Sequence, residues 1–402
     1  MVALAGLLGI GSRSARADAT LSLDRNAVIT LARERSPDVE VANARVGEAR
    51  ALRVGAGAAA QINPELRVSA GPRFLPTSRT NIDVIASLVW PLDISGSSRL
   101  RASLAEEKTR LAEAESSLVT LSAIVQAVDL WLRALGALDT VRLETDRVRL
   151  DDALLRVART RRDSGAAGEG DVALALVLQA EGRARLHNAQ GDHDALLEQL
   201  RGVLGIDPGI TVTLIEDGRD KEAPDVASLL VELKKRPAFK QRAAAQRSAV
   251  ADAALQKRLR FPMLNMLAEG GRSPESYVMG GIGAGLPVYQ RNQTNAAVAA
   301  ARVTTGEVEV SVLGRRAEAD LRAAYASYVG RRRAYAALEE GAPAMADAEH
   351  LATRGYELGQ GTLASVITVR REVTNARLAL KDAKWSSVRA RLALDLASGV
   401  VR

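Results

Sequence analysis

A run of alternating glycines, Gly281-Ile282-Gly283-Ala284-Gly285, is the nearest this chain comes to a phosphate-cradling loop. Such a loop needs a further glycine and then a helix start, so that free backbone N–H groups point at the phosphates. Here Leu286-Pro287 follows, and glycines on one face of a strand fit better. His187 and His193 lie six apart in a helical pattern, which turns them to different faces and makes them a poor metal pair. His350 is remote from both. The acidic pairs Glu106-Glu107 and Glu339-Glu340 sit among other charges on helix faces, where solvated carboxylates are expected rather than an acid and base. No Walker-type lysine loop, HExxH or GxSxG occurs, and cysteine is absent from all 402 residues. Disulfides, thiolate metal sites and cysteine nucleophiles are therefore excluded. No enzyme, cofactor or resident metal is expected.

The elements that would carry a function are helices. Aromatics make up 3% of the chain, and Ala, Leu, Arg, Glu and Val dominate, as in coiled coils and long helices. Net charge is +7, with basic runs at Lys234-Lys235-Arg236 and Arg331-Arg332-Arg333. Neither run is interleaved with aromatics, so both read as solvated helix faces and no nucleic acid is expected as a partner.

The chain reads as one unit written twice. Ser36-Pro37-Asp38-Val39 matches Arg236-Pro237-Ala238-Phe239, Pro64 matches Pro262, Pro91 matches Pro287, and Gly165 matches Gly359. From Gly165 the copies run without a gap, Asp171 opposite Ser365, Arg183 opposite Arg377. Repeats of this length are domain-sized units rather than solenoid steps. The expected division is a signal-peptide remnant over 1–19, a first repeat over 20–204, a connector over 205–224 and a second repeat over 225–402. The signal reading rests on apolar Met1–Gly11 followed by Ala15-Arg16-Ala17. No other segment is expected to form a membrane-spanning helix, so any crossing would be made by strands.

Leu23–Val54 reads as helix opening at Asp24 and interrupted at Ser36-Pro37. Period-2 alternation predicts strands at about 61–70 and 81–92, with a turn through Gly71-Pro72 and Pro76, and at about 260–270 and 277–289. Val84, Leu88, Trp90, Ile282 and Leu286 fall on large apolar faces, while glycine or polar residues take the opposite faces. That contrast suits a wall between lipid and a watery lumen. Helical hairpins are expected at 97–202 and 294–397. In the first, Leu104, Leu111, Leu118, Val125 and Leu132 recur every seven residues, with Leu121, Val128 and Leu135 between them, predicting a coiled-coil seam. Asp171 is placed to cap the returning helix, and Pro343 to kink the second rising one.

Ser36-Pro37-Asp38-Val39, Ile62-Asn63-Pro64-Glu65-Leu66 and Trp90-Pro91-Leu92-Asp93-Ile94-Ser95-Gly96, with Arg99 and Arg101, form one set of motifs. Tyr356-Glu357-Leu358-Gly359, Asn375-Ala376-Arg377 and Leu394-Asp395-Leu396-Ala397-Ser398-Gly399 form the other. In this order the chain resembles the TolC-like outer membrane factor family, most like the subgroup serving heavy-metal cation exporters. The resemblance implies a mainly α fold with a small β part. Long antiparallel helices would form an α-barrel, and four strands per protomer would contribute to a trimeric transmembrane β-barrel.

It also implies a homotrimer in the outer membrane with a long periplasmic extension. Its partners would be outer-membrane lipid, a periplasmic adaptor and an inner-membrane pump, proton-driven if the subgroup holds. The helical turns would be adaptor-docking tips, with Gly165, Glu169, Asp171, Gly359, Gln360 and Thr362 at them. Asp171, Ser365 and Thr368 would line the channel constriction, although the second-copy aspartates of some relatives are here Ser365 and Thr368. The expected function is a passive efflux duct. Two alternatives stay open, a duct for secreted polypeptide and a coiled-coil scaffold outside any membrane.

Overall fold

The computed structural model describes residues 20–58, 62–74, 80–216, 224–272 and 275–399. The expected signal remnant and Pro76 lie outside them. In chain order the elements are β1 (Thr20–Leu23), α1 (Arg25–Arg35), α2 (Pro37–Ala51), β2 (Glu65–Phe74), β3 (Thr80–Leu92), α3 (Ser97–Asp163) and α4 (Glu169–Leu204). There follow β4 (Thr211–Leu214), α5 (Val226–Glu232), a 3-10 turn at Leu233–Lys235, α6 (Pro237–Arg258), β5 (Leu264–Arg272) and β6 (Ser276–Ala284). The last elements are α7 (Gln293–Glu340), α8 (Ala342–Glu357) and α9 (Leu363–Ser398). The fold is mainly helical with a small β part, as the sequence implied.

Two units divide the chain, one of residues up to Pro37 with Ala123–Ala223 and Ala326–Ala393, the other of Asp38–Ser122, Pro224–Tyr325 and the residues from Leu394.

The second unit holds the four-stranded antiparallel sheet, in the order β2-β3-β5-β6. Register pairs Val68 with Ala86, Leu88 with Ala268, Trp90 with Met266, and Met266 with Ile282. Paired residues share a face, so an apolar face runs across all four strands, ending at Arg272 and Ser276, and Val278 and Ile282 on it are 89% and 74% exposed. The other face carries Arg67, Ser87, Glu269 and Gly281. β2 runs through Gly71-Pro72 instead of turning there. Pro72 is tolerated because β2 is an edge strand, where a missing N–H breaks no second ladder. β6 stops at Ala284, so Leu286 lies beyond the strand it was expected to join.

In the same unit α3 packs on α2 through small residues. Thr109 Oγ1 shares its one proton between Ala49 O at 3.1 Å and Ala105 O of its own helix at 2.9 Å, and Ser116 Oγ donates to Asn43 Oδ1 at 2.9 Å. Leu104 is buried, but Leu111 and Leu118 are only half-buried, and Thr109 and Ser116 make the polar contacts to α2.

In the first unit, β1 and β4 form a parallel pair, Thr20 with Thr211 through Leu23 with Leu214. Neither strand was expected from the sequence, and β4 falls inside the segment expected to be the connector over 205–224. Trp131 Nε1 donates to Leu23 O at 3.0 Å and ties the pair to α3. Asp24 caps α1, accepting from Ala27 N at 2.7 Å. Pro343 does not kink a continuous helix. α7 ends at Glu340, and Pro343 takes the first turn of α8, where its missing N–H costs nothing. One 18-residue stretch of α3 is long and apolar enough to cross a membrane, contrary to expectation. Ala127, Val128, Trp131, Ala134 and Leu135 of this helix are nevertheless buried inside the protein, as core positions are.

Candidate functional site at the helical turns

Both long hairpins turn by the same local chemistry. Gly165 and Gly359 have φ of 74° and 77°, the left-handed region that L side chains enter only at a cost. At the first turn Gly165 N donates to Arg162 O at 2.9 Å and Ala166 N to Arg161 O at 2.8 Å. At the second, Gly359 N donates to Tyr356 O at 3.1 Å and Gln360 N to Gly355 O at 2.9 Å. These are two Schellman motifs, closing the last free carbonyls of α3 and α8.

The returning helices start differently. Thr362 caps α9, its Oγ1 accepting from Ser365 N at 3.2 Å. α4 begins at Glu169 behind Gly168, so Asp171 sits inside the first turn and is not the cap. Its carboxylate is free for another task. Tyr356, at the end of α8, is 1% exposed and donates its hydroxyl to Asp171 Oδ2 at 3.2 Å. Burial raises the Tyr356 phenol above its ordinary 10.0, and the Asp171 charge adds to this against Arg161. The hydroxyl thus keeps its proton and remains a donor at neutral pH. Arg161, from α3, lies 4.6 Å over the Tyr356 ring, donates to Tyr356 O, and reaches Ala166 O at 3.2 Å.

Two apolar clusters back this latch. Leu154, Tyr356, Leu363 and Val366 form one, and Leu155, Ala158, Val172 and Ala175 the other. Further from the turns, Arg370 of α9 donates to Leu150 O at 3.1 Å and Thr353 Oγ1 at 3.4 Å, and lies 3.7 Å from Asp151. Burial raises the Asp151 carboxyl above its ordinary range, while Arg147 and Arg370 pull it down. A cavity of about 550 Å³ opens beside them, lined by Glu144, Arg185, Glu349 and Arg377. Charges of both signs line it. Among the described residues no group of three or more His, Asp or Glu is placed to hold a metal.

The profile of outer membrane efflux proteins matches residues 28–206 and again 231–400. The chain belongs to the outer membrane efflux protein family. No curated protein matches it in sequence. Among solved structures, crystal structures of CusC superpose with a TM-score of 0.78 over 97% of this chain and 95% of that one, at 15% identity. The outer-membrane channel OprN gives 0.74 over 93% and 89%, at 20% identity. The outer membrane protein VceC of Vibrio cholerae gives 0.74 over 93% and 96%, at 19% identity. These likenesses show a shared fold.

Within this efflux-protein fold, the expected tip residues fall on the two turns. Gly165, Glu169, Gly359, Gln360 and Thr362 are exposed there, and Glu169 lies 3.6 Å from Arg162. Ser365 and Thr368 are exposed, but their hydroxyls donate to Thr362 O at 2.7 Å and Ala364 O at 3.0 Å, the backbone of their own helix region. Of the three expected constriction residues, only Asp171 is joined to the opposite hairpin. Tyr356 and Arg161 were not singled out in the sequence as site residues. Tyr356 stood in the Tyr-Glu-Leu-Gly motif, and Arg161 one turn before Gly165 in a basic run, but nothing local says that they meet. Val84, Trp90 and Ile282 are exposed on the apolar sheet face, and Leu88 on the same face is half-buried.

Proposed function

We propose that this efflux-family chain is the outer-membrane channel of a tripartite efflux system, a passive trimeric duct fed by a periplasmic adaptor and an inner-membrane pump. The observation that carries the reading is the four-stranded sheet with one apolar face and two open edges, β2 and β6, in a chain whose two halves both match the family. An open edge in lipid leaves backbone N–H and C=O groups unpaired at several kcal/mol each, so three copies joining β6 to β2 would close the barrel. Val84, Leu88, Trp90 and Ile282 would face lipid, with Leu286 just outside the barrel wall.

The helical turns are the proposed adaptor-docking tips and gate. Gly165, Glu169, Gly359, Gln360 and Thr362 present the docking surface, and the Tyr356–Asp171 bond holds the two hairpins of one protomer together. Asp171, Ser365 and Thr368 are proposed to line the constriction. Motifs such as Trp90-Pro91-Leu92-Asp93 favour heavy-metal cations as cargo and a proton-driven pump as partner.

Planar-bilayer recording tests the duct and its gate together. Purified trimer should conduct, and Tyr356→Phe, which removes only the hydroxyl, should raise the mean conductance severalfold with the trimer intact. A water-soluble monomer that conducts nothing would overturn the duct. Equal conductance in the two proteins would remove the latch from the gate.

A further inference from the structure

We propose that the rim where the strands give way to helices is a binding surface for the phosphates of anionic phospholipids, in the leaflet nearer the helices. The inference rests on the outer-membrane reading above and names a partner chemistry for it.

The rim is built from four connections in one unit. Leu52-Arg53-Val54 precedes β2, Asp93-Ile94 follows β3, Lys257-Arg258-Leu259-Arg260-Phe261 precedes β5, and Val288-Tyr289-Gln290-Arg291 follows β6. Its five cations, Arg53, Lys257, Arg258, Arg260 and Arg291, are all exposed. Elsewhere in the chain, exposed arginines are commonly paired, as Arg110 is with Glu106 and Arg322 with Glu318. Among the described residues, none of the five rim cations has a carboxylate partner. Arg258 Nε donates to Ser95 O at 2.6 Å and Arg291 Nε to Pro287 O at 2.9 Å, both neutral acceptors. The acids at the rim itself, Asp93 and Glu65, are already engaged. Asp93 accepts from Ser95, Ser97 and Arg101, and Glu65 from Arg67 at 2.7 Å. The rim is thus an uncompensated positive band.

Its apolar residues fit the same surface. Val54, Ile94, Leu259, Phe261, Val288 and Tyr289 are exposed between the cations. Arg258 and Arg260 lie 5.5 and 4.9 Å from the Phe261 ring, which holds guanidinium groups beside an aromatic face. Cations alternating with aromatic and aliphatic groups at the end of an apolar strand face match a headgroup layer, where rings sit at the boundary and basic side chains meet phosphate. A water-facing rim would gain nothing from the exposed aliphatics. A rim against a neighbouring protein copy would need carboxylates opposite, and in this unit the rim acids are occupied.

The test uses the full-length trimer reconstituted in phosphatidylcholine vesicles, with and without about one fifth phosphatidylglycerol. The variant is Arg53→Gln with Lys257→Gln, Arg260→Gln and Arg291→Gln, leaving Arg258 and its bond to Ser95 in place. Wild type should retain phosphatidylglycerol through detergent extraction, read by native mass spectrometry, and the variant about tenfold less or below. Wild type should also melt higher in the anionic vesicles than in the neutral ones, and the variant equally in both. Equal lipid retention by the two proteins would overturn the proposal. So would a variant that fails to assemble even in phosphatidylcholine, since the cations would then serve contacts between copies. A wild-type chain that enters neither vesicle would instead defeat the membrane reading itself.

Discussion

Asp93 sits where the chain leaves β3 for α3, and its carboxylate organises that corner. Oδ1 accepts from Ser95 N at 3.0 Å and Ser95 Oγ at 2.6 Å, while Oδ2 accepts from Ser97 Oγ at 2.5 Å and Arg101 Nη2 at 3.2 Å. Burial alone would raise its pKa, but the bonds from Ser95 and Ser97 and the Arg101 charge outweigh it and bring the group from 3.8 to about 2. The sign follows from proton counts. Between these two values the unfolded chain binds a proton that the folded chain does not, so the contribution of Asp93 is full above 3.8 and lost as pH falls towards 2. Asp93→Asn should therefore melt below wild type at pH 6, and the gap should close as pH approaches about 2. Thermal melts of the detergent-solubilised protein across that range decide it, and a gap that stays constant with pH would show the corner to be held by packing rather than charge.

The helical turns show what an element can and cannot announce in advance. The glycine pair Gly165 and Gly359 was visible because only glycine sits easily at positive φ after a helix, and the structure puts both there. Gly361 has no such constraint and its Cβ would meet only ordinary contacts, the nearest 3.5 Å away. Gly359→Ala should therefore cost about 1–2 kcal/mol locally, whereas Gly361→Ala should be nearly silent. Hydrogen exchange reads the difference. The Gly359 and Gln360 amides should exchange about tenfold faster in the first variant, with β5 unchanged. Equal exchange in both variants would mean that the turn is not held by its Schellman bonds. Other features were hidden because they depend on partners far away in sequence. β1 and β4 are four residues each and pair residues 191 positions apart (Thr20 with Thr211, 211 − 20), too short and too distant for periodicity to register. The end of β2 was misread because Gly71-Pro72 signals a turn unless the strand is known to be an edge. The leucine heptads of α3 were legible, but which of its stripes meets α2 depends on α2, and Thr109 and Ser116 make the polar contacts there. Arg161, Tyr356 and Asp171 come from three helices, so their meeting was legible in none of them.

For the whole molecule the question is which solvent the sheet faces. Taken alone, the sheet is exposed on both faces, and a water-soluble sheet tolerates arginine equally at neighbouring exposed positions. In a membrane the two faces part company, since residues alternate between lipid and lumen along each strand. Val68 and Ser69 are adjacent near the middle of β2, both exposed, with Val68 63% so, and they point to opposite faces. Val68→Arg would place a charge in hydrocarbon near the midplane, at a cost of about 2–4 kcal/mol per protomer, while Ser69→Arg would place it in the watery lumen. Three protomers would add these costs in one barrel, so the contrast should be larger for the assembly than for one chain. The expected outcome is a heat-modifiable trimer band for wild type and Ser69→Arg, and its loss or strong reduction for Val68→Arg, in outer-membrane fractions and in vesicles. Should both variants assemble alike, the apolar face is not in lipid and the coiled-coil scaffold becomes the better account. Should both fail alike, β2 tolerates no arginine at all and its edge, rather than its face, governs assembly.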